Sequence, residues 1–527
     1  MKLTMMIFAI LVYLGYMVYL GINLSKKNKS ADDMYLGGRK LGPYVTAMSA
    51  EASDMSSWLL MGLPGVALLN AFSNTGGFAE AVWTAIGLAV GTYINWLLVA
   101  RRIRIYTEKT KSTTIPAFLS DRFGDKAGIL TAVAAVVIIV FFIPYTASGF
   151  SAIGKLASSL FGVDYHTTMI IGAIILVAYT VTGGFLAASV TDFVQSIVMT
   201  IALFVVVCFG LENAGGLEGI QANILAIEGI ENLGQYFSLT GTDGSYGFLP
   251  IVSTLAWGLG YFGMPHILLR FMAIEDANKL KVSRRVASVW VTISMGIAIF
   301  IGVLGYSFVV NNNLLTDGFD AERIVIYFAN AIAELDSFGA IIAGVIIAGI
   351  LASIMSTADS QLLAASSSVS ENIVRRFFWK NMSEKAQMLL ARVTMVAIAA
   401  VAIVLAWDQN SSVFRIVSFA WAGFGAAFGP IILFALFWKR TNKWGALAGV
   451  VSGGAMVFIW KYLVRSKGGA FDIYELLPAF IVSAIAIVAV SLLTAAPEKE
   501  VEDTFDEVAN LCKTGKGSST TDDAKKV

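Results

Sequence analysis

Two acids, Glu51 and Asp54, stand among Ser49, Ser53, Ser56 and Ser57 in the middle of an apolar run from about Pro43 to Leu69. A run of that length is long enough to cross a bilayer, which takes about 20 residues. A carboxylate at mid-membrane costs at least ~2.5–3.5 kcal/mol and persists only where something pairs with it. The small and polar residues around Asp54 also make one turn of helix easy to unwind. An unwound turn frees backbone carbonyls and half-helix ends, which suit a cation and a zwitterion. The alternative is a polar knot that fastens helices together.

A second interrupted run is Ala256 to His266, where Gly258, Gly260, Gly263 and Pro265 weaken one helix. It begins five spans after the Asp54 run, so the two cross the membrane in opposite directions. Paired broken helices in oppositely oriented halves point to a transporter's central site; close helix packing along a glycine-rich face is the other reading. A third set is Ser353, Ser356, Thr357 and Ser360, on one helical face, with Asp359 beside them. Hydroxyls and carbonyls are hard oxygen ligands, suited to a small alkali cation. Asp192 opens the sixth span, where an acid acts as a cap or an interfacial charge; for Asp359 the plain alternative is a salt bridge to an arginine at the cytoplasmic side.

The elements that must hold these residues are membrane helices. Of 527 residues, 57% are hydrophobic and 14% charged, and mean hydropathy is +0.74. That is well below the ~25% charge of soluble domains. The chain reads as an all-α polytopic membrane protein whose surroundings are the bilayer. A net charge of +1 gives no footprint for nucleic acid. Cys208 and Cys512 supply no disulfide framework, and His166 and His266 no metal or catalytic cluster, so no enzyme chemistry is expected. No obligate protein partner is evident.

Thirteen apolar runs are candidate spans, near 4–24, 43–69, 77–100, 127–151, 167–184, 188–210, 248–267, 286–310, 337–369, 387–407, 412–438, 444–464 and 475–494. The first is followed rather than preceded by Lys26, Lys27 and Lys29, so it reads as a retained span. Lysine and arginine alternate in register with this count: Arg101, Arg102 and Arg104, then Arg284 and Arg285, then Arg375 and Arg376, fall on one side. Lys155, Arg323, Arg465 and Lys467 fall on the other, where 211–247 carries neither basic residue type. The positive-inside rule then puts the N-terminus outside and the C-terminus in the cytoplasm of a cell membrane. Within the first long outer loop, Ile220, Ile224 and Ile227 are spaced for a short surface helix or lid; a plain connector is the alternative. In the polar tail 496–527, Val501, Phe505, Val508 and Leu511 suit one amphipathic helix, with disorder from Lys513 onward. No appended soluble domain is expected.

Longer blocks carry a family resemblance: Leu36 to Pro43, Ala52 to Gly65, Gly183 to Ala187, Trp257 to Ala273, Met355 to Thr357, and Phe419 to Pro430. In these the chain resembles the sodium:solute symporter family over nearly its whole length to about residue 494. The resemblance implies a leucine-transporter-type inverted repeat of five plus five spans, about 43–210 and 248–438, with extra spans at both ends of a transmembrane unit 1–495. It implies sodium as the co-transported ion, held by the carbonyls of Ala52, Met55 and Ser353 and the hydroxyls of Ser356 and Thr357. It also implies alternating-access uptake of a small zwitterion, L-proline first, at Asp54, Ser56, Ser57, Trp58, Tyr145, Trp257, Tyr261, Met264 and Pro265. Glu51 and Ser57 stand where related carriers usually have glycine, and Met264 where they have glutamine. Those departures leave open another amino acid, an osmolyte or a small carboxylate as cargo, and a non-transporting solute sensor is a further alternative. A second cation site at Asp192, Asp359 and Ser360 is expected from relatives with an acid at the matching position.

Overall fold

Two helices are interrupted where the sequence concentrates its serines, acids and glycines. The computed structural model describes residues 1–26, 30–72, 77–315 and 319–514; Lys27, Lys29 and the expected disorder after Thr514 lie outside them. Among the described residues the secondary structure is helical throughout, apart from one isolated bridge between Leu41 and Ile274.

In chain order the first half contains α1 (Lys2–Ser25), α2 (Pro43–Asp54), α3 (Leu63–Leu69), α4 (Gly77–Thr110), α5 (Ile129–Phe161), α6 (Tyr165–Gly183) and α7 (Phe185–Asn213). The second half contains α8 (Phe248–Leu255), α9 (Pro265–Ala273), α10 (Leu280–Asn311), α11 (Ser337–Ser367), α12 (Glu384–Leu405) and α13 (Val413–Phe437). Two more helices, α14 (Lys443–Ile459) and α15 (Leu476–Leu493), precede a terminal α16 (Lys499–Thr514). Eleven helices among the described residues are long and apolar enough to cross a membrane. The two runs that fall short are the interrupted ones, which leave only the shorter apolar helices Trp58–Leu69 and Phe248–Gly263.

Local chemistry sets these breaks. Helix α2 starts on Pro43 at its first turn and ends at Asp54, and a π-turn over Trp58–Gly62 leads into α3. Helix α8 passes into a 3-10 segment, Ala256–Gly263; Met264 is extended, and Pro265 opens α9. The glycines also let backbones touch. A Cβ on Gly258 would lie 2.2 Å from the carbonyl oxygen of Gly87 on α4, and one on Gly263 the same distance from that of Phe424 on α13. The two readings of the glycine run therefore hold together: it both interrupts the helix and packs it closely.

Helix α2 is buried among α7, α9, α10 and α11, and the 3-10 segment lies between α4 and α13. At the end rich in lysine and arginine, the Leu41 amide donates to the Ala273 carbonyl (3.1 Å) and the Glu275 amide to the Leu41 carbonyl (3.0 Å). The start of the first broken helix is thereby tied to the end of the second. Arg39 reinforces the tie by donating to the Met272 carbonyl at 2.6 Å.

Several boundaries differ from the sequence reading. Helix α5 runs on to Phe161, so Lys155 is inside it, 2% exposed and paired with Glu322 (2.9 Å) and Asp320 (3.0 Å). Glu322 also accepts from the Ser412 hydroxyl and from the Val413 and Phe414 amides, capping α13. The isoleucine pattern in 211–247 forms a helix, Gly216–Leu225, that buries Ile220 and Ile224. In the tail, α16 buries Val501 and Val508, and acids on it and just before it face lysines: Glu498 with Lys126, Glu507 with Lys109 at the end of α4, and Asp506 with Lys439.

Candidate functional site

The break after Asp54 leaves its carbonyl without a helical partner, and side chains take it up. Trp58 donates its indole N–H to that oxygen at 3.3 Å, and the Tyr145 hydroxyl donates to it at 3.3 Å. The Asp54 carboxylate accepts from the Tyr261 hydroxyl at 2.5 Å, and its other oxygen has no donor among the described residues. Asp54 therefore joins the two broken helices directly. Carbonyls freed in the second helix find external donors: Trp421 Nε1 to Trp257 O (2.7 Å) and Asn95 Nδ2 to Tyr261 O (2.9 Å).

Beside the first break lies a cluster of oxygens. The Ser356 hydroxyl donates to the Ala52 carbonyl at 2.8 Å, and that of Thr357 reaches the same oxygen at 3.5 Å. Both hydroxyls also contact the Ser353 carbonyl, at 3.3 and 3.2 Å. Ala52, Met55, Ser353 and Ser356 are fully buried and Thr357 nearly so. Each hydroxyl now donates to a carbonyl; turning its lone pairs inward would make it a ligand. The donor set, neutral and all oxygen, fits a dehydrated alkali cation better than a transition metal. Among the described residues no group of three His, Cys, Asp or Glu is placed to hold a metal ion.

A water-sized cavity of about 10 Å³ adjoins this cluster. Ser56, Ser57, Tyr145 and Thr357 line it, together with Ser148 and Gln361. A cavity of that size holds about one water, so a solute enters only if the surrounding helices separate. Trp58, Trp257 and Tyr261 do not line it; the Trp58 and Trp257 ring centroids are 6.3 Å apart, and Tyr261 packs edge-on against Trp421 at 5.1 Å. Met264 and Pro265 are fully buried and shape the break rather than line the cavity.

Asp192 differs from its expected cap or surface role. It is fully buried seven residues into α7, where it accepts from Arg270 at 3.1 Å and from the Ser49 hydroxyl at 2.7 Å. Arg270 also donates to Ser360. Asp359 accepts from Ser360 at 3.1 Å and has no ion pair among the described residues, so the alternative of a salt bridge to an arginine is not seen; Arg270 pairs with Asp192. A guanidinium thus stands between Asp192 and Ser360, where a second cation was expected. Glu51 accepts from Thr92 (3.0 Å) and from Trp96 Nε1 (2.8 Å), on the α4 side of α2.

Two residues near the site, Gln361 and Tyr474, are absent from the sequence-based candidates. Gln361 accepts from Thr146 at 3.2 Å while its buried amide nitrogen has no acceptor among the described residues. Its signal was visible, a polar residue one turn beyond Thr357 in an apolar span. Tyr474 gave no such signal. It precedes α15, stacks on Trp257 at 5.2 Å and donates to the Ser418 carbonyl at 2.6 Å.

Residues 34–453 match the family profile described as Sodium:solute symporter family. The chain is 43% identical over 499 residues to the high-affinity proline transporter PutP of Bacillus subtilis strain 168, covering 94% of this chain and 98% of that one. It is 40% identical to the sodium/proline symporter of Escherichia coli K12, covering 96% of each chain. A solved structure of a Na+-coupled sialic acid symporter, outward-open with substrate bound, superposes with a TM-score of 0.76 at 20% identity, covering 94% of this chain and 99% of that one.

Proposed function

The chain belongs to the sodium:solute symporter family, and we propose that within it the protein takes up L-proline, driven by co-transported sodium through alternating access. It is a transporter and not an enzyme. The observation that carries the mechanism is the meeting of the Ala52 carbonyl with the Ser356 and Thr357 hydroxyls, two residues before the Asp54–Tyr261 contact. The cargo is supported by relatives about 40% identical over almost their full length whose names specify proline.

In this reading each interrupted helix counts as one crossing, which brings eleven spans to thirteen. The alternation of lysine and arginine supports an outside N-terminus and a cytoplasmic C-terminus. Spans two to six and seven to eleven form the two inverted halves of the 1–495 unit.

Sodium binds at Ala52, Met55, Ser353, Ser356 and Thr357 and draws α2 and α11 together. The same ordering sets Asp54, Ser56 and Tyr145 for substrate, and Trp58, Trp257 and Tyr261 supply aromatic walls. Coupling is reciprocal: sodium favours the substrate-competent state, and substrate favours sodium by the same factor. One sodium moving down ~100 mV supplies ~2.3 kcal/mol, and a tenfold gradient adds ~1.4 kcal/mol, enough for roughly several-hundred-fold accumulation. With Arg270 beside Asp192 and Ser360, the proposed stoichiometry is one sodium per cycle, and Asp359 serves that buried network rather than a second ion.

The departures bear unequally on cargo. Glu51 is held on the α4 side by Thr92 and Trp96, and Met264 lies off the cavity, whereas Ser57 lines it. A competition panel tests cargo: labelled proline uptake inhibited by unlabelled proline and by few other solutes supports the reading. Uptake driven by sodium for another amino acid, an osmolyte or a carboxylate, but not for proline, moves the cargo and points to Ser57.

A further inference from the structure

Away from the central site, a groove of about 150 Å³ opens at the end of the bundle rich in lysine and arginine. It lies between Ser25 at the end of α1, Met34 of the short helix Ala31–Leu36, Thr182 in the last turn of α6, Gly184, and Met388 and Arg392 of α12. Arg392 is its unusual member. It is exposed on the same face as Leu389 (61% exposed), Val393 (57%) and Val396 (53%), a surface that suits lipid. Eight residues from Glu384, it sits ~12 Å along the helix axis, inside a span long and apolar enough to cross a membrane. It has no hydrogen bond, ion pair or aromatic partner among the described residues. An unpaired guanidinium at that depth needs an anion or must stretch toward water.

The groove suits an anion at its head and an alkyl chain at its wall. Gly184, at φ +85, turns the chain between α6 and α7, and no side chain caps the N-terminus of α7 that begins there. That terminus adds partial positive charge on the side facing Arg392. Lys26, exposed and adjacent to Ser25, adds a further cation. Met34 and Met388 supply flexible apolar lining. Basic pockets between spans on the cytoplasmic side bind acidic lipid headgroups by this combination.

We propose that the groove at Arg392 binds the phosphate headgroup of an anionic phospholipid, with its acyl chain along the exposed face of α12. This rests on the membrane placement of the chain and not on its cargo, so it stands or falls apart from proline transport.

The test uses the full chain purified in mild detergent, with phosphatidylglycerol, phosphatidylcholine or inorganic phosphate added. Retained lipid is read by native mass spectrometry and stability by thermal unfolding. Phosphatidylglycerol is expected to be retained by the unmodified protein and to raise its Tm by a few degrees, with phosphatidylcholine and phosphate doing neither. Arg392→Gln is expected to lower retention about tenfold and to abolish the Tm shift, with Arg392→Lys in between. Arg392→Leu, which keeps the exposed face apolar, gives the same result if the lost charge is the cause. Equal phosphatidylglycerol retention in Arg392→Gln, or an equal shift with phosphate or phosphatidylcholine, overturns the proposal.

Discussion

Removing one hydroxyl from the oxygen cluster has an effect whose size follows from the contacts. Ser356→Ala deletes one of the five proposed sodium ligands. A contact to a charged group contributes about 1.5–3 kcal/mol. The same hydroxyl, without sodium, donates to the Ala52 carbonyl at 2.8 Å, a bond worth ~1 kcal/mol net, and its loss destabilises the sodium-free state. The two effects oppose, leaving about 0.5–2 kcal/mol, or roughly a twofold to thirtyfold rise in half-saturating sodium. Thr357 reaches Ala52 only at 3.5 Å, so its offset is smaller and Thr357→Ala should cost at least as much; Thr357→Ser should recover most of it. By reciprocity, proline affinity falls at low sodium and recovers at saturating sodium. The assay is initial uptake of labelled proline in vesicles over a sodium series at fixed membrane potential. Half-saturating sodium unchanged within twofold in both alanine variants, or a lost maximal rate that sodium does not restore, would remove these hydroxyls from the ion's path.

Other perturbations separate the remaining roles. Asp54→Ala should raise the sodium requirement by about two orders of magnitude, since a charge-bearing contact and its link to Tyr261 go together; near-normal sodium dependence takes Asp54 out of the mechanism. Trp257→Ala should raise half-saturating proline more than half-saturating sodium, whereas equal losses indicate packing with Trp58 and Tyr474. Asp359→Ser should leave the sodium Hill slope near one, because Arg270 already occupies the place beside Asp192; a changed slope reveals a second cation. Glu322→Ala leaves Lys155 with Asp320 alone and takes the acceptor from Ser412, Val413 and Phe414, and a loss of about 1–3 kcal/mol should appear as a clear drop in Tm. An unchanged Tm would show that Asp320 alone suffices.

The sequence made the periodic and the costly legible. Apolar runs announced the spans, and residues that defy an apolar environment announced the site: Asp54 in a serine cluster, the glycines before Pro265, and hydroxyls repeated at helical spacing in α11. Partner choice was not legible. Nothing in the order of residues says that Arg270 pairs with Asp192 rather than Asp359, because the pairing depends on how α7, α9 and α11 face one another. Tyr474 escaped for the same reason, being 217 positions from the Trp257 ring it stacks on. Boundaries moved where ion pairing overrode hydropathy. Helix α5 continues past its apolar run because Lys155 is neutralised by Glu322 and Asp320, which a window of hydropathy does not register.

The central claim is sodium-driven proline uptake. Its most direct test is the accumulation of labelled L-proline in proteoliposomes containing only this protein, with and without an inward sodium gradient. The account predicts accumulation above equilibrium with the gradient, stimulation by an inside-negative potential, and only slow equilibration without sodium. Accumulation that is indifferent to sodium, or no proline uptake while another solute enters with sodium, would contradict it.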